Sequence, residues 1–378
     1  MSKQLIGLSL AIVMIVSAIY VLELQKPART AFDSVNELTV DGSQVSVERR
    51  DTREEKAKKY PRAKELAGIA GEVNTKNLKI ADLLGKKVIM VDFWTYSCIN
   101  CQRTTPYLNA WYDKYRESGL EIIGVHAPEF EFEKKLENVQ MAVEKFGIKY
   151  PVVLDSALAT WSAYKNQYWP RKYLIDIDGF IVYDHIGEGG YEETEKKIQE
   201  LLMERGVVLG DQKKISEGVV SGMARGPLLV ESPEIYFGAE RNEFLGNGRP
   251  KAVGEQSLVV SSAPVLNTLY LGGRWSIERE SSKLVAKDGR VVFKYRARDV
   301  YMVGRSNSAS KVRILRDGKP LTGATNGEDV MMKDGVSTVT IQEDRLYKLI
   351  QDDGGFGEHV LELIIDEPGV ELFTFTFG

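Results

Sequence analysis

Between residues 87 and 205 the spacing of apolar positions changes several times. Residues 87–94 (KVIMVDFW) form a short apolar run that predicts a buried strand, and a helix-forming stretch follows over 98–118. A second apolar run at 120–126 (LEIIGVH) precedes helical spacing over 132–146, a short strand at 152–154 and a helix over 157–164. Residues 172–177 and 180–186 read as two strands joined by Asp178-Gly179, a dipeptide suited to a hairpin turn. Over 191–205, Ile198, Leu201 and Leu202 share one helix face while Lys196, Lys197 and Glu200 lie elsewhere. The succession predicts an α/β domain over 67–206.

After a stretch at 207–232 where Gly and Ser rise and periodicity fades, the chain turns strand-like. Runs at 290–295, 299–303, 311–315, 337–341, 347–350, 359–365 and 371–377 alternate with turn signals such as Asp317-Gly318. With no helical stretch among them, they predict an all-β sandwich, jelly roll-like, over 233–378. At the other end, residues 5–22 carry no charge and follow Lys3. As a helix that run would be about 27 Å long, close to the hydrocarbon thickness of a bilayer. No clean small-x-small cleavage site follows it, so 1–24 is expected to be an uncleaved signal anchor. The bulk of the chain then lies outside the cytoplasm, on the periplasmic or extracellular face; cleavage and secretion is the alternative. Residues 25–66 are densely charged and read as a tether or as an N-terminal extension.

Composition narrows the chemistry. Of 378 residues, 43% are hydrophobic and 28% charged, ordinary globular usage that argues against a disordered or fibrous chain. Lys plus Arg is 50 against Asp plus Glu at 54, a net charge of −4, which gives no footprint for nucleic acid. The two cysteines, Cys98 and Cys101, cannot build a disulfide framework or a four-thiolate zinc site, and three histidines add little. No metal or cofactor is expected. What stands out is a single C-x-x-C at the point where a predicted strand runs into a predicted helix. There, unpaired backbone N–H groups stabilise an anion, and a spacing of three brings both sulfurs to one face. Cys98 is then the candidate nucleophile and Cys101 the candidate resolving thiol of thiol–disulfide exchange; an inert stabilising disulfide is the alternative.

The segment Val91-Asp92-Phe93-Trp94-Thr95-Tyr96-Ser97-Cys98-Ile99-Asn100-Cys101 resembles the active-site segment of thioredoxins, above all the TlpA-like branch and DipZ-type proteins. Pro106 falls where thioredoxins carry the proline of this helix, and Trp169-Pro170 followed by 172–176 resembles their cis-proline and the next strand. The resemblance implies that Asp92 is a buried proton acceptor for Cys101, and that Pro170 docks client backbone. A polar strand-edge residue is the other reading of Asp92. Trp94, Tyr96 and Trp169 read as an apolar collar round the cysteines or as plain core aromatics. His126 and Glu129 end a strand near the site and are readable as proton-transfer groups or as structure. Thr95 has the peroxiredoxin spacing to Cys98, without the proline-rich context. Gly187-Glu188-Gly189-Gly190 is an incomplete dinucleotide fingerprint and reads as a loop.

Segments 232–238, 344–347 and 368–378 resemble the C-terminal domain of DipZ-type proteins, which is similar in fold to carbohydrate-binding modules. Tyr270, Trp275, Tyr295 and Tyr301 are candidates to stack on a glycan; protein docking or a spacer role is the other reading of the domain. The multi-span membrane domain of DipZ-type proteins is not found ahead of residue 67, so a separate membrane electron donor is expected as a partner beside disulfide-bearing client proteins. The chain is expected to be an anchored extracytoplasmic thiol–disulfide oxidoreductase, working as a reductase. A disulfide-forming oxidase, or an adhesion-type binding protein on a redox scaffold, are the alternatives.

Overall fold

The computed structural model describes residues 50–211, 213–222 and 230–378. The expected anchor over 1–24, and the first part of the expected tether, lie outside them. Among the described residues no helix is long and apolar enough to cross a membrane.

After a short helix α1 (Arg53–Lys59), the first sheet is built from β1 (Gly71–Val73), β2 (Val88–Trp94), β3 (Leu120–His126), β4 (Val152–Leu154), β5 (Arg171–Ile175) and β6 (Ile181–Ile186). Their order is β1-β4-β3-β2-β5-β6, with β2, β3 and β4 parallel and the rest antiparallel. Helices α2 (Ile80–Leu83), α3 (Ile99–Tyr115), α4 (Leu136–Lys145), α5 (Ala159–Ala163) and α6 (Tyr191–Leu209) connect and cover them. The longer strands and helices lie where the periodicity placed them. Strand β1 and helix α2, three and four residues long, were too short to leave a pattern.

Strand β2 is buried on both faces, which is why it reads as a continuous apolar run. Val88, Met90 and Trp94 pack with Leu108 and Trp111 of α3 and Ile198 and Leu201 of α6. Ile89, Val91 and Phe93 pack on the other side with Ile80 and Tyr164. Alternation therefore puts Asp92 on the face beneath α3.

The second half forms one sheet of 13 strands, nearly closed round a single apolar core. Strand β7 (Ile235–Tyr236) and strands β8 (Gly254–Leu258), β9 (Leu269–Ile277) and β10 (Ser282–Leu284) precede the expected runs. The central strands are β11 (Gly289–Ala297), β12 (Asp299–Ser306) and β13 (Ser310–Arg316), and β14 (Lys319–Pro320) and β15 (Val330–Lys333) follow. Strands β16 (Val336–Ile341), β17 (Arg345–Gln351), β18 (Gly357–Ile365) and β19 (Val370–Phe377) complete it. Strand β9 turns a corner within this sheet. Leu269 to Gly272 pair with β11, whereas Trp275 to Ile277 pair with β10. Gly273, at φ +95°, makes the bend, a conformation that L side chains rarely adopt.

Strand β19 carries a bulge: Val303 pairs with Thr374 and Gly304 with Leu372, leaving Phe373 without a partner on β12. Leu372, Phe375 and Phe377 thus face the β core while Phe373 is turned outward. Phe373, Tyr301, Val303 and Leu346 pack into the same apolar cluster as Phe130, Phe132 and Leu108 of the first domain. Phe373 meets Phe130 and Phe132 edge-on, with ring centroids 5.2 and 4.8 Å apart.

The four aromatics considered for glycan stacking are not available. Trp275 and Tyr295 are fully buried, and Tyr270 and Tyr301 nearly so. Trp275 donates its indole N–H to Gly272 O at 2.8 Å, and Tyr301 faces Arg103 of the first domain. Trp275 and Tyr295 belong to the apolar core of the sheet and Tyr301 to a domain contact, and Tyr270 is covered beside Gly246. Sequence alone does not separate such aromatics from exposed ones.

Candidate active site

Cys98 is the N-cap of α3, with extended backbone at φ −81° and ψ 120°. Its sulfur accepts the Cys101 backbone N–H at 3.4 Å, so one orphan donor of the helix start points at it. Cys98 is half-buried and Cys101 buried, and neither is bonded to another cysteine. The pair is asymmetric: one sulfur at the helix end can be reached, and the other sits one turn inside. Burial holds the Cys101 thiol well above its ordinary pKa, and the hydrogen bond and charge of Cys98 and the charge of Asp92 add to that.

Asp92 lies beneath α3 with 1% of its surface exposed, and Oδ1 has no hydrogen-bond partner among the described residues. Burial pushes its carboxyl up to about 7, with Lys172 opposing the shift. Lys172 was not foreseen as a site residue. Its place is set by register: β2 and β5 run antiparallel with Asp92 opposite Lys172. The Lys172 side chain is fully buried, its ammonium donates to Gly187 O at 3.3 Å, and desolvation lowers its pKa. A carboxyl close to half-ionised at neutral pH therefore sits near the buried Cys101 thiol.

The loop Thr95–Ser97 ahead of Cys98 is held from below by Glu133, also unforeseen. Glu133 Oε1 accepts the Ser97 hydroxyl at 2.5 Å, and Oε2 accepts the Glu129 and Phe130 N–H groups at 2.6 and 3.0 Å. Burial pushes this carboxyl up to about 7 against those hydrogen bonds. His126 is likewise buried. Its Nε2 accepts the Tyr96 N–H at 3.3 Å, its ring lies between Trp94 and Tyr96, and burial lowers its pKa to about 3. A neutral imidazole packed this way supports the loop. Glu129 lines the cavity that holds Cys98, where Tyr236 and Arg241 of the β domain reach it at 2.9 and 2.8 Å.

The proposed collar divides. Trp94 and Tyr96 are buried, whereas Trp169 is half-exposed and lines the cavity that holds Cys98. Trp169 donates its indole N–H to Ala127 O at 2.9 Å and packs against Trp161. The Trp169–Pro170 bond is cis, as the resemblance implied. Among the described residues one group of acidic side chains (Asp176, Asp178 and Glu204) has oxygens close enough to hold a cation, but it lies away from the cysteines in sequence and includes neither.

Residues 56–202 match the Redoxin family model, and residues 232–378 match a family described as a thioredoxin-like C-terminal domain. The chain is 36% identical over 322 residues to protein DipZ of Mycobacterium tuberculosis, covering 84% of this chain and 43% of that protein. It thus spans under half the length of these relatives. It is 33% identical over 133 residues to the thiol-disulfide oxidoreductase ResA of Bacillus cereus, covering 35% of this chain and 73% of ResA. A solved thioredoxin-like protein in the oxidized form aligns with 38% of this chain and 97% of its own, at 28% identity and a TM-score of 0.36. Through the part that carries Cys98 and Cys101, the chain belongs to the redoxin family of thiol–disulfide oxidoreductases.

Proposed function

We propose that the chain exchanges disulfides with client proteins through Cys98 and Cys101, acting as a reductase tethered to the outer side of a membrane. The observation that carries this reading is the asymmetry of the cysteines: one accessible sulfur capped by a helix N–H, one buried sulfur a turn away. The Cys98 thiolate attacks a client disulfide; the new S–S bond forms as the old one breaks, and the first client sulfur leaves and takes a proton. Asp92 accepts the proton of Cys101, whose sulfur then attacks Cys98 and expels the second client sulfur. Two electrons pass from the chain to the client, so a dithiol donor, expected to be a separate membrane protein, must restore the pair. Pro170 and Trp169, beside the cysteines in this family's arrangement, receive the client backbone.

The anchor rests on the uncharged run at 5–22. The β domain keeps the sandwich-like reading, with a protein-facing rather than a glycan-facing role. Insulin reduction by the full chain, with Cys98→Ser as control, tests the activity, and equal rates in both would remove it. A reduction potential near about −270 mV fits the reductase and one near about −120 mV an oxidase.

A further inference from the structure

Cys98 lies in a cavity of about 560 Å³ with two walls from different domains. One is the redox side, with Asn100, Gln167 and Trp169. The other belongs to the β domain and includes Tyr236 on β7, Glu234 just before it, Arg241, and Thr374 and Thr376 on β19. Those threonines lie on the outer face of β19, opposite Phe375 and Phe377 in the β core. The Phe373 bulge sets this register, because unbroken alternation from Leu372 through Phe373 would turn Thr374 and Thr376 inward. The domain contact that buries Phe373 therefore also fixes the second wall.

The charges on that wall are not balanced. Arg241 is engaged by Glu129 at 2.8 Å, and its guanidinium lies 3.6 Å from the Tyr236 ring centroid. Glu234 is exposed and hydrogen-bonds only to hydroxyls, Tyr236 at 2.7 Å and Thr376 at 3.2 Å, with the Glu129 carboxylate and the Arg241 guanidinium as its charged neighbours. Among the described residues no cation stands within ion-pair distance of it. The cavity has the volume of a few side chains, the scale of a ligand cleft, and is far smaller than the face of a folded partner.

We propose that β7 and β19 form the second half of the client cleft, and that Glu234 selects extended disulfide-bearing segments with a basic residue flanking the reactive cysteine. This rests on the disulfide-exchange reading above. A segment lying in the cleft presents its sulfur to Cys98 and its cationic side chain to Glu234. The Glu234 contact is only partly desolvated, so it discriminates modestly and falls with salt.

The test is single-turnover oxidation of the pre-reduced full chain by two peptide disulfides that differ only in Arg or Glu beside the cysteine. The dithiol supplies both electrons, so no other reductant is needed. The Arg peptide is expected to react about five- to tenfold faster at low ionic strength, with the ratio shrinking in 0.5 M salt. Glu234→Gln keeps the hydroxyl contacts and brings the ratio to about twofold or less; Glu234→Lys inverts it. Equal rates in the parent, or a ratio unmoved by both substitutions, overturn the assignment and leave the exchange reading standing. If neither peptide oxidises the dithiol, the exchange reading itself fails.

Discussion

At the residue scale the proposed resolving step depends on a proton. Cys101 is a thiol at neutral pH, and in the proposed mechanism Asp92, raised by burial to about 7, deprotonates it. The rate of mixed-disulfide resolution should therefore rise with pH through an inflection near 7. In Asp92→Asn the inflection should vanish and the step slow about 100-fold, the scale of one general base. Lys172→Met removes the cation that opposes the shift, so the inflection should move above 7. Stability gives the same information with a definite sign. The unfolded carboxyl titrates near 3.8 and the folded one near 7, so the folded state holds the extra proton between them and Asp92 weakens the fold as pH rises. Asp92→Asn should raise the unfolding free energy measured in urea at pH 8, by at most about 4 kcal/mol, and change it little at pH 4. A gain independent of pH would contradict the shift.

At the element scale the active-site loop depends on one carboxylate reached from another segment. Glu133 accepts from the Ser97 hydroxyl and from the N–H groups of Ser97, Glu129 and Phe130, so Glu133→Ala removes the partner of four polar groups. A loss of about 2–4 kcal/mol in chemical denaturation is expected, with a smaller loss for Glu133→Gln, which keeps one acceptor. Equal losses would mean that packing rather than hydrogen bonding holds the loop. This separates what was legible from what was not. Cys98, Cys101 and Asp92 lie within ten residues of sequence, on a strand and helix whose periodicities are plain, and they are found where the pattern put them. Lys172 is a site neighbour only because β5 pairs with β2 in one register, and Glu133 only because a 3₁₀ turn folds under the loop. Strands β8 to β10 escaped for local reasons: β8 is polar (GEQSL), and the Gly272-Gly273 corner interrupts β9.

At the scale of the whole molecule the β domain is packed onto the redox domain. Arg103, two residues past Cys101, reaches the Tyr301 hydroxyl of β12 at 2.9 Å and Glu188 at 3.3 Å. Tyr301 lies 3.2 Å from Asp299, so polar contacts continue from the catalytic helix into the second sheet. The apolar part is Phe373 between Phe130 and Phe132, and truncating a buried Phe costs about 3–5 kcal/mol. Phe373→Ala should split one calorimetric transition into two as the domains uncouple. A single transition lowered as a whole would instead mean that the domains fold as one unit without this contact.

The central claim is that the two sulfurs divide the work, and trapping tests it most directly. Full chain carrying Cys101→Ser, mixed with a disulfide-bearing client, should accumulate a mixed disulfide through Cys98 that resists gel electrophoresis and yields to dithiothreitol. Cys98→Ser should trap almost none, because Cys101 is buried. Equal trapping by both variants, or trapping through Cys101 alone, would contradict the account.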